Sequence, residues 1–395
     1  MSNEITSSIN SISINITSID GKKIDVSKLM LNIEIYEGLF EFFLTGKLII
    51  ADTIDLIQHF PLIGNEEMEI SIDFNNGSFK KYDFRIYKLT KDVVDNRGDV
   101  KRKILVFYFC SKEAIKDSTI TFSKKYSGKP EAIISNVLSG IGSTKKLDYE
   151  RCSNSLEIYS NYWKPSKIID FVTRQSRSNY LDYVFFETLD GFVFKSVSNL
   201  CNQESITDIK YENQSETFID NNQIKVFKMN SYFDINTNGN IGLFGSTLYK
   251  PNDTKYSYTK VASTLKNNVE EIVTNGLSFP YMDELNNSSN LVVANYYDPK
   301  ISSVRMSSLK LLTNYNMVIK VQGDLNKKVG SILNLIYPNQ DNEKTTNASF
   351  NGKWLIKGIK HSIQQYNVYE QNIVIVKNAL FNNNKLSKIS KLRNI

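Results

Sequence analysis

The sequence predicts a mainly β fold with α+β inserts. Tyr and Phe number 22 each against only 7 Pro, and aromatic abundance beside many Ile and Thr suits side chains packed on half-buried pleated surfaces. Apolar and polar residues alternate with period two toward both ends of the chain, the spacing that turns one strand face inward and the other to water. Between those stretches the period lengthens to the helical one.

Leu31, Ile33 and Ile35 alternate with Asn32 and Glu34, and Met68, Ile70, Ile72 and Phe74 alternate with Glu67, Glu69, Ser71 and Asp73. Tyr82, Phe84 and Ile86 resume the pattern, and Lys103 to Cys110 closes it. Asp20-Gly21 and Asn76-Gly77 are dipeptides that accept positive φ in tight hairpin turns. Residues 1–111 are therefore predicted as a small antiparallel β-barrel or sandwich.

In residues 112–205 the period changes. Ile133, Ile134, Val137 and Leu138 share one helical stripe behind Pro130, a first-turn proline, and a second helix opens at Pro165 with Ile168, Ile169 and Val172 on its apolar face. Tyr183–Thr188, the turn Asp190-Gly191 and Phe192–Val197 read as a hairpin. The prediction is an α+β insert domain.

Residues 206–234 and 311–380 are predicted as a second β-barrel domain, with strands at 226–233, Met317–Val321, Ile332–Tyr337, Trp354–Ile359 and Tyr369–Val376. The intervening 235–310 read as a small loop-rich domain: turns over Asn236–Tyr256, a helix over Val261–Val273 and an exposed loop at Asn286–Asn290. Residues 381–395 form a basic tail. The two β units share a layout. Lys47–Ala51, Asp52, Gly64 and Met68–Phe74 match Met317–Gln322, Asp324, Gly330 and Leu333–Tyr337, without any short-period repeat.

A chain of 395 residues exceeds one ordinary core, so two to four domains are expected. The +6 net charge is too diffuse to resemble a nucleic-acid binder. Cys110, Cys152 and Cys201 are widely spaced, with no CxxC pair, which points away from a disulfide framework or a cysteine zinc site and toward a reducing compartment during folding. Met1–Asp20 lacks the basic start and apolar core of a secretory signal, and no apolar run approaches a bilayer span. Export by the Sec route and membrane insertion are not expected.

Catalytic and cofactor motifs are sparse. His59 and His361 are far apart and outside any HExxH spacing, and no GxSxG elbow occurs, so neither a metal site, a cofactor nor a Ser/His/Asp triad is expected. His361 reads as a hydrogen-bonded packing residue. Gly140–Lys145 has the wrong order for a phosphate loop and reads as a helix C-terminus broken by glycine. Arg97-Gly98-Asp99 reads as a polar turn. Glu66, Glu67, Asp182 and Glu187 could in principle pair as glycosidase carboxylates but read as solvated strand edges and turns. Lys385, Lys388, Lys391 and Arg393 read as a solvated or partner-docking tail.

Three stretches resemble the baseplate hub proteins of T-even-like contractile phage tails. They are LMLNIEIYEGLFEFFLTGKLIIADTIDLIQHFPLIGNEEMEISIDF from Leu29 to Phe74; YWKPSKIIDFVTRQS with YVFFETLDGFVFKSVSNL, within Asn161–Leu200; and VQGDLNKKVGSILNLIYP with NGKWLIKGIKHSI. The resemblance covers about three quarters of the chain and leaves out 235–310. It implies two tail-tube-like barrels with two smaller domains, assembled as a homotrimer in the virion's tail baseplate after synthesis in the host cytoplasm. The implied partners are a central spike protein, lysozyme-bearing or not, a tail-tube or tube-initiator protein, wedge and tape-measure proteins, and DNA in transit without tight binding.

On that resemblance the motif residues are structural rather than catalytic: Gly323, Gly330 and Gly352 at barrel turns, Trp354 in the barrel core or a subunit seam, His361 on a strand, and Asp190 and Gly191 at the insert hairpin. Three rival functions remain: a hub of a phage-derived injection or type VI-like secretion device, a tail-associated cell-wall hydrolase, and a glycan-binding module suggested by the 22 Tyr and 2 Trp.

Overall fold

In the computed structural model, which describes residues 9–75, 77–92, 103–211, 222–231, 245–252, 257–264, 289–292, 299–337 and 350–377, the alternating segments join one 14-stranded sheet. Its first half holds β1 (Ile9–Thr17), β2 (Lys23–Asp25), β3 (Met30–Gly38), β4 (Thr45–Asp52), β5 (Glu67–Phe74), β6 (Phe79–Asp92) and β7 (Lys103–Ser111), with a single-turn helix α1 (Leu56–His59) between β4 and β5. These strands pair in the order β3-β4-β7-β6-β5-β1-β2, all antiparallel.

Every second residue of β4 and β5 is buried, as the alternation requires. Ile33 and Ile35 of β3 share one core with Ile14 and Ile16 of β1, at the far side of the same run of strands, so the sheet curls around Phe84, Phe107 and Phe109. Each fully buried side chain of this kind contributes about 1.5–3 kcal/mol.

Next in the chain come α2 (Lys112–Thr119), β8 (Lys125–Gly128), α3 (Pro130–Gly140), β9 (Leu147–Tyr149), β10 (Leu156–Tyr159), α4 (Pro165–Gln175), β11 (Tyr183–Thr188), β12 (Gly191–Ser196) and α5 (Val197–Cys201). Pro130 and Pro165 each occupy a first helical turn, where a missing N–H costs nothing. The stripes Ile133, Ile134, Val137 and Ile168, Ile169, Val172 pack on the aromatic face of the β11–β12 hairpin as a separate core.

The other half of the large sheet holds β13 (Ser205–Tyr211), β14 (Gln223–Ile224), β15 (Val226–Ser231), then, after an excursion, β19 (Tyr315–Gln322), β20 (Ile332–Ile336), β21 (Gly352–Gln364) and β22 (Val368–Lys377). The excursion contains β16 (Gly245–Asn252), β17 (Ser257–Thr264), β18 (Ser289–Val292) and α6 (Pro299–Leu312). The order β15-β19-β22-β21-β20-β13-β14 repeats that of the first half strand for strand. One strand is reversed: β13 runs parallel to β20 and β14, whereas β1 runs antiparallel to β5 and β2.

The repetition extends to irregularities. A bulge at Tyr87, between Ile86 and Lys88, has its counterpart at Lys357, between Ile356 and Gly358. Asn65, at φ 68°, donates its N–H to Ile86 O at 2.9 Å, and Gly330, at φ 83°, donates its N–H to Ile356 O at 2.9 Å. The counterpart of Gly330 is therefore Asn65, one residue beyond the Gly64 suggested by the sequence layout. Both occupy the left-handed region, which Asn tolerates better than most side chains.

The stretch read as loops contains strands. Within Asn236–Tyr256, Gly245–Asn252 is β16, paired on both sides by β17 and β18. The helix expected over Val261–Val273 is a strand as far as Thr264, and residues 265–273 lie outside those described. Ser289 and Asn290, expected in a loop, open β18. Main-chain ladders need no apolar alternation, so an Asn-, Lys- and Pro-bearing strand between two partners is invisible to a periodicity reading. Helix α6 begins within the stretch read as a small loop-rich domain. Arg97-Gly98-Asp99 and the basic tail 381–395 lie outside the described residues.

Candidate functional site

The two halves of the sheet meet where β3 pairs with β21. β21 is long enough to serve two neighbours on one edge: Gly352 and Lys353 to Leu355 face β20, and Gly358 to Gln364 face β3 in antiparallel register, with Ile359 opposite Glu37 and His361 opposite Ile35. The Leu39 N–H donates to Lys357 O at 2.8 Å and extends the ladder past the bulge. The halves are thus stitched by main-chain hydrogen bonds.

A buried polar cluster occupies this seam. Glu37 Oε1 accepts the Leu189 N–H at 2.8 Å and lies 3.6 Å from His361 Nε2. His361 Nδ1 is 2.8 Å from the Tyr369 hydroxyl, and Gln371 Nε2 donates to that hydroxyl at 3.1 Å and to Asp324 O at 2.9 Å. Burial holds the Tyr369 hydroxyl well above its ordinary pKa, so it stays protonated. Glu37 Oε2 and His361 Nε2 have no hydrogen-bond partner among the described residues. Gly323 donates its N–H to Tyr369 O at 3.0 Å, and a Cβ there would sit 2.1 Å from the Tyr369 ring.

The tip of the β11–β12 hairpin docks on the same seam. Asp190 lies 3.5 Å from Lys80 Nζ of β6 and 2.5 Å from Lys328 Nζ, between β19 and β20, so one carboxylate bridges cations from both halves. Gly191 follows at φ 133°, where a Cβ would stand 2.5 Å from Lys146 O. Gly330 packs its backbone against Phe186 and Leu200, with a built Cβ 3.0 Å from the phenyl ring.

Behind the tip, Glu187 Oε2 accepts the Leu44 N–H at 2.9 Å and the Ser111 hydroxyl at 2.6 Å, while Oε1 pairs with Lys145 Nζ at 2.5 Å. The same ammonium meets Glu113 Oε2 at 2.8 Å. Burial disfavours the Lys145 ammonium, but the carboxylates of Glu187 and Glu113 outweigh it and hold its pKa above the usual lysine value. Across the β3–β4 surface, Glu34 is ringed by Lys360 at 2.8 Å, Lys47 at 3.1 Å and the Tyr36 hydroxyl. Burial opposes the Glu34 charge, yet these donors prevail and lower its pKa to about 2.

Five of the residues singled out from sequence, Asp190, Gly191, Gly323, Gly330 and His361, gather at this seam. Trp354 and Gly352 do not. Trp354 lies in the core of the second half and donates its indole N–H to Phe350 O at 2.7 Å, while Gly352, at φ 103°, opens β21. Sequence reasoning missed Glu37, Tyr369 and Gln371, because a polar residue at a seam has the same alternation as one facing water.

The carboxylates read as solvated are a correction. Glu66, Asp182 and Glu187 are buried, while Glu67 is exposed. Glu66 accepts the Ile63 and Gly64 N–H groups, and Asp182 accepts the Ser198 N–H with the Ser198 and Ser308 hydroxyls, so these groups hold main chain and neighbouring elements. Gly140–Lys145 ends α3: Gly142 lies at φ 69° and the Ser143 N–H reaches Leu138 O at 3.0 Å. Among the described residues, no group of three or more His, Cys, Asp or Glu could hold a metal ion, and no helix is long and apolar enough to cross a membrane. The seam ties the two β units and the insert hairpin together.

No protein-family model matches the chain, and no curated protein does. Solved structures do. A tail protein from Neisseria meningitidis MC58 superposes with a TM-score of 0.57 at 10% identity, covering 94% of this chain and 97% of that one. The 43 kDa tail protein of prophage MuSo2 from Shewanella oneidensis gives 0.58 at 10% identity, with 93% and 99% covered. Over nearly its whole length, the chain has the fold of these tail proteins.

Proposed function

We propose that the protein is a structural baseplate hub of a contractile phage tail. The observation that carries this reading is the doubled strand order within one chain, in a fold shared end to end with prophage and other tail proteins. Two like units per chain and three chains give a ring of six, which seats a sixfold tail tube on one side and a threefold spike on the other. When the spike leaves, the ring becomes part of the DNA-ejection channel.

In this reading residues 1–111 form the first barrel, 112–205 the insert, 206–234 with 311–380 the second barrel, and 235–310 a small peripheral domain. The tail 381–395 is available to baseplate partners. Gly323, Gly330, Gly352, Trp354 and His361 serve packing and turn geometry, and Asp190 with Gly191 locks the insert onto both barrels. None acts as a catalyst. Spike, tube or tube-initiator, wedge and tape-measure proteins are the partners, and the place of action is the virion tail.

Absolute mass by light scattering after size exclusion tests the hub. The expected mass is three times the 45.3 kDa of one chain, alone or once the spike protein of the same genome is co-expressed. A monomer under both conditions would sink the proposal.

A further inference from the structure

Among the described residues, the seam between the two halves has an unfilled copy of itself. Superposing the repeated strand order equates β6 with β21, β7 with β22, β4 with β19 and β3 with β15. Shared bulges and partners set the register: Arg85 and Leu355 both end their pairing with the preceding strand, and Lys88 to Asp92 correspond to Gly358 to Ser362. Through β4 and β19, Ile33, Glu34, Ile35 and Tyr36 of β3 correspond to Phe227, Lys228, Met229 and Ser231 of β15.

In the seam, the far edge of β21 is filled by β3. On β6 the equivalent edge, Lys88 to Asp92, has no strand on it among the described residues, and neither does the outer edge of β15. Exposure follows. Ile359 and His361 are 2% and 3% exposed, whereas their counterparts Leu89 and Lys91 are half-buried and exposed. Ile33, Glu34 and Ile35 are buried, whereas Phe227 and Met229 are half-buried and Lys228 is exposed. Unpaired edges of this kind invite another strand.

We infer that β15 of one copy pairs antiparallel with Lys88–Asp92 of β6 in the next copy, reproducing the β3–β21 seam between molecules. The inference rests on the ring reading and supplies its contact. The contact joins two different surfaces, so it propagates head to tail and closes only as a ring. Transferring the seam's register places Lys91 opposite Met229, as His361 lies opposite Ile35, and Thr90 opposite Ser231, as Lys360 lies opposite Tyr36.

The test is an interchain disulfide in the full chain carrying Lys91→Cys and Met229→Cys, with Thr90→Cys and Ser231→Cys as a second pair. Directly opposed residues in an antiparallel ladder fall within disulfide reach. After mild oxidation, non-reducing electrophoresis should show dimer and trimer bands at least tenfold above either single-cysteine variant, in at least one pair. Light scattering on the same samples separates the two ideas. A threefold mass without crosslinks from either pair overturns this edge assignment and leaves the hub reading intact. A monomer without crosslinks, both alone and with the co-expressed spike protein, overturns both.

Discussion

Glu187 Oε2 accepts the backbone N–H of Leu44 at 2.9 Å, a hydrogen bond between residues 143 positions apart that ties the insert hairpin to the first β unit. The carboxylate is buried and also meets the Ser111 hydroxyl and the Lys145 ammonium. Removing it leaves the Leu44 N–H and the Ser111 hydroxyl without this acceptor, while Lys145 keeps Glu113, at a cost of about 1–3 kcal/mol. Glu187→Ala is expected to lower stability by that order, and Glu187→Gln by less, because its amide oxygen still accepts from Leu44. Urea unfolding of the two variants checks the ranking; equal midpoints for wild type and Glu187→Ala would refute it.

Gly323 and Gly352 should respond differently to an added methyl. At Gly323 a Cβ would stand 2.1 Å from the Tyr369 ring, whose hydroxyl anchors His361 and Gln371, so alanine must displace the seam cluster. Overpacking of this kind costs about 1–3 kcal/mol or more. At Gly352 the nearest atom to a Cβ is Lys377 Nζ at 3.8 Å, leaving only the strain of φ 103°. Gly323→Ala should therefore lower the melting temperature and speed amide exchange at the β3–β21 ladder, while Gly352→Ala should leave that ladder's exchange unchanged.

The strands with clean alternation, such as Met68–Phe74, and the proline-led helices at Pro130 and Pro165 were legible because each obeys a local rule. The repeat was legible as a layout but misaligned by one residue, because Asn65 occupies a left-handed position that the eye assigns to Gly64. The seam itself was not legible. Nothing local distinguishes Glu37, opposite Ile359, from a glutamate facing solvent, and an edge strand carries no mark of its distant partner. Gly245–Asn252 was lost for the same reason, since its pairing is main-chain and its composition reads as loop.

Glu34 predicts an acid-sensitive contribution to stability. Its folded pKa, about 2, lies below the ordinary 4.5, so above that ordinary value the folded state gains from the ionised carboxylate. The gain is on the order of 2–3 kcal/mol and is lost as pH falls from about 4.5 toward 2. Glu34→Gln should be less stable than wild type at neutral pH and converge with it near pH 2. Unfolding midpoints across that range that stay parallel for the two proteins would contradict the assignment of the donors Lys360 and Lys47.

Lys377 also has a lowered pKa, but there the charged form costs stability. Burial over the Trp354 ring lowers its pKa to about 8, even though its Nζ donates to Asn351 O at 3.1 Å. Between that value and the ordinary 10.5 the unfolded chain binds the extra proton, so this residue makes stability rise with pH across the window. At pH 7 the folded state bears the cost of a half-desolvated ammonium. Lys377→Met keeps the apolar stem against Trp354 and removes that cost, at the loss of one hydrogen bond to a carbonyl. The variant should be more stable than wild type by about 1–2 kcal/mol at pH 7, with the advantage fading as pH approaches the lysine's ordinary value. Thermal unfolding at neutral and alkaline pH measures both, and a variant that loses stability at pH 7 would show that the hydrogen bond to Asn351 outweighs desolvation.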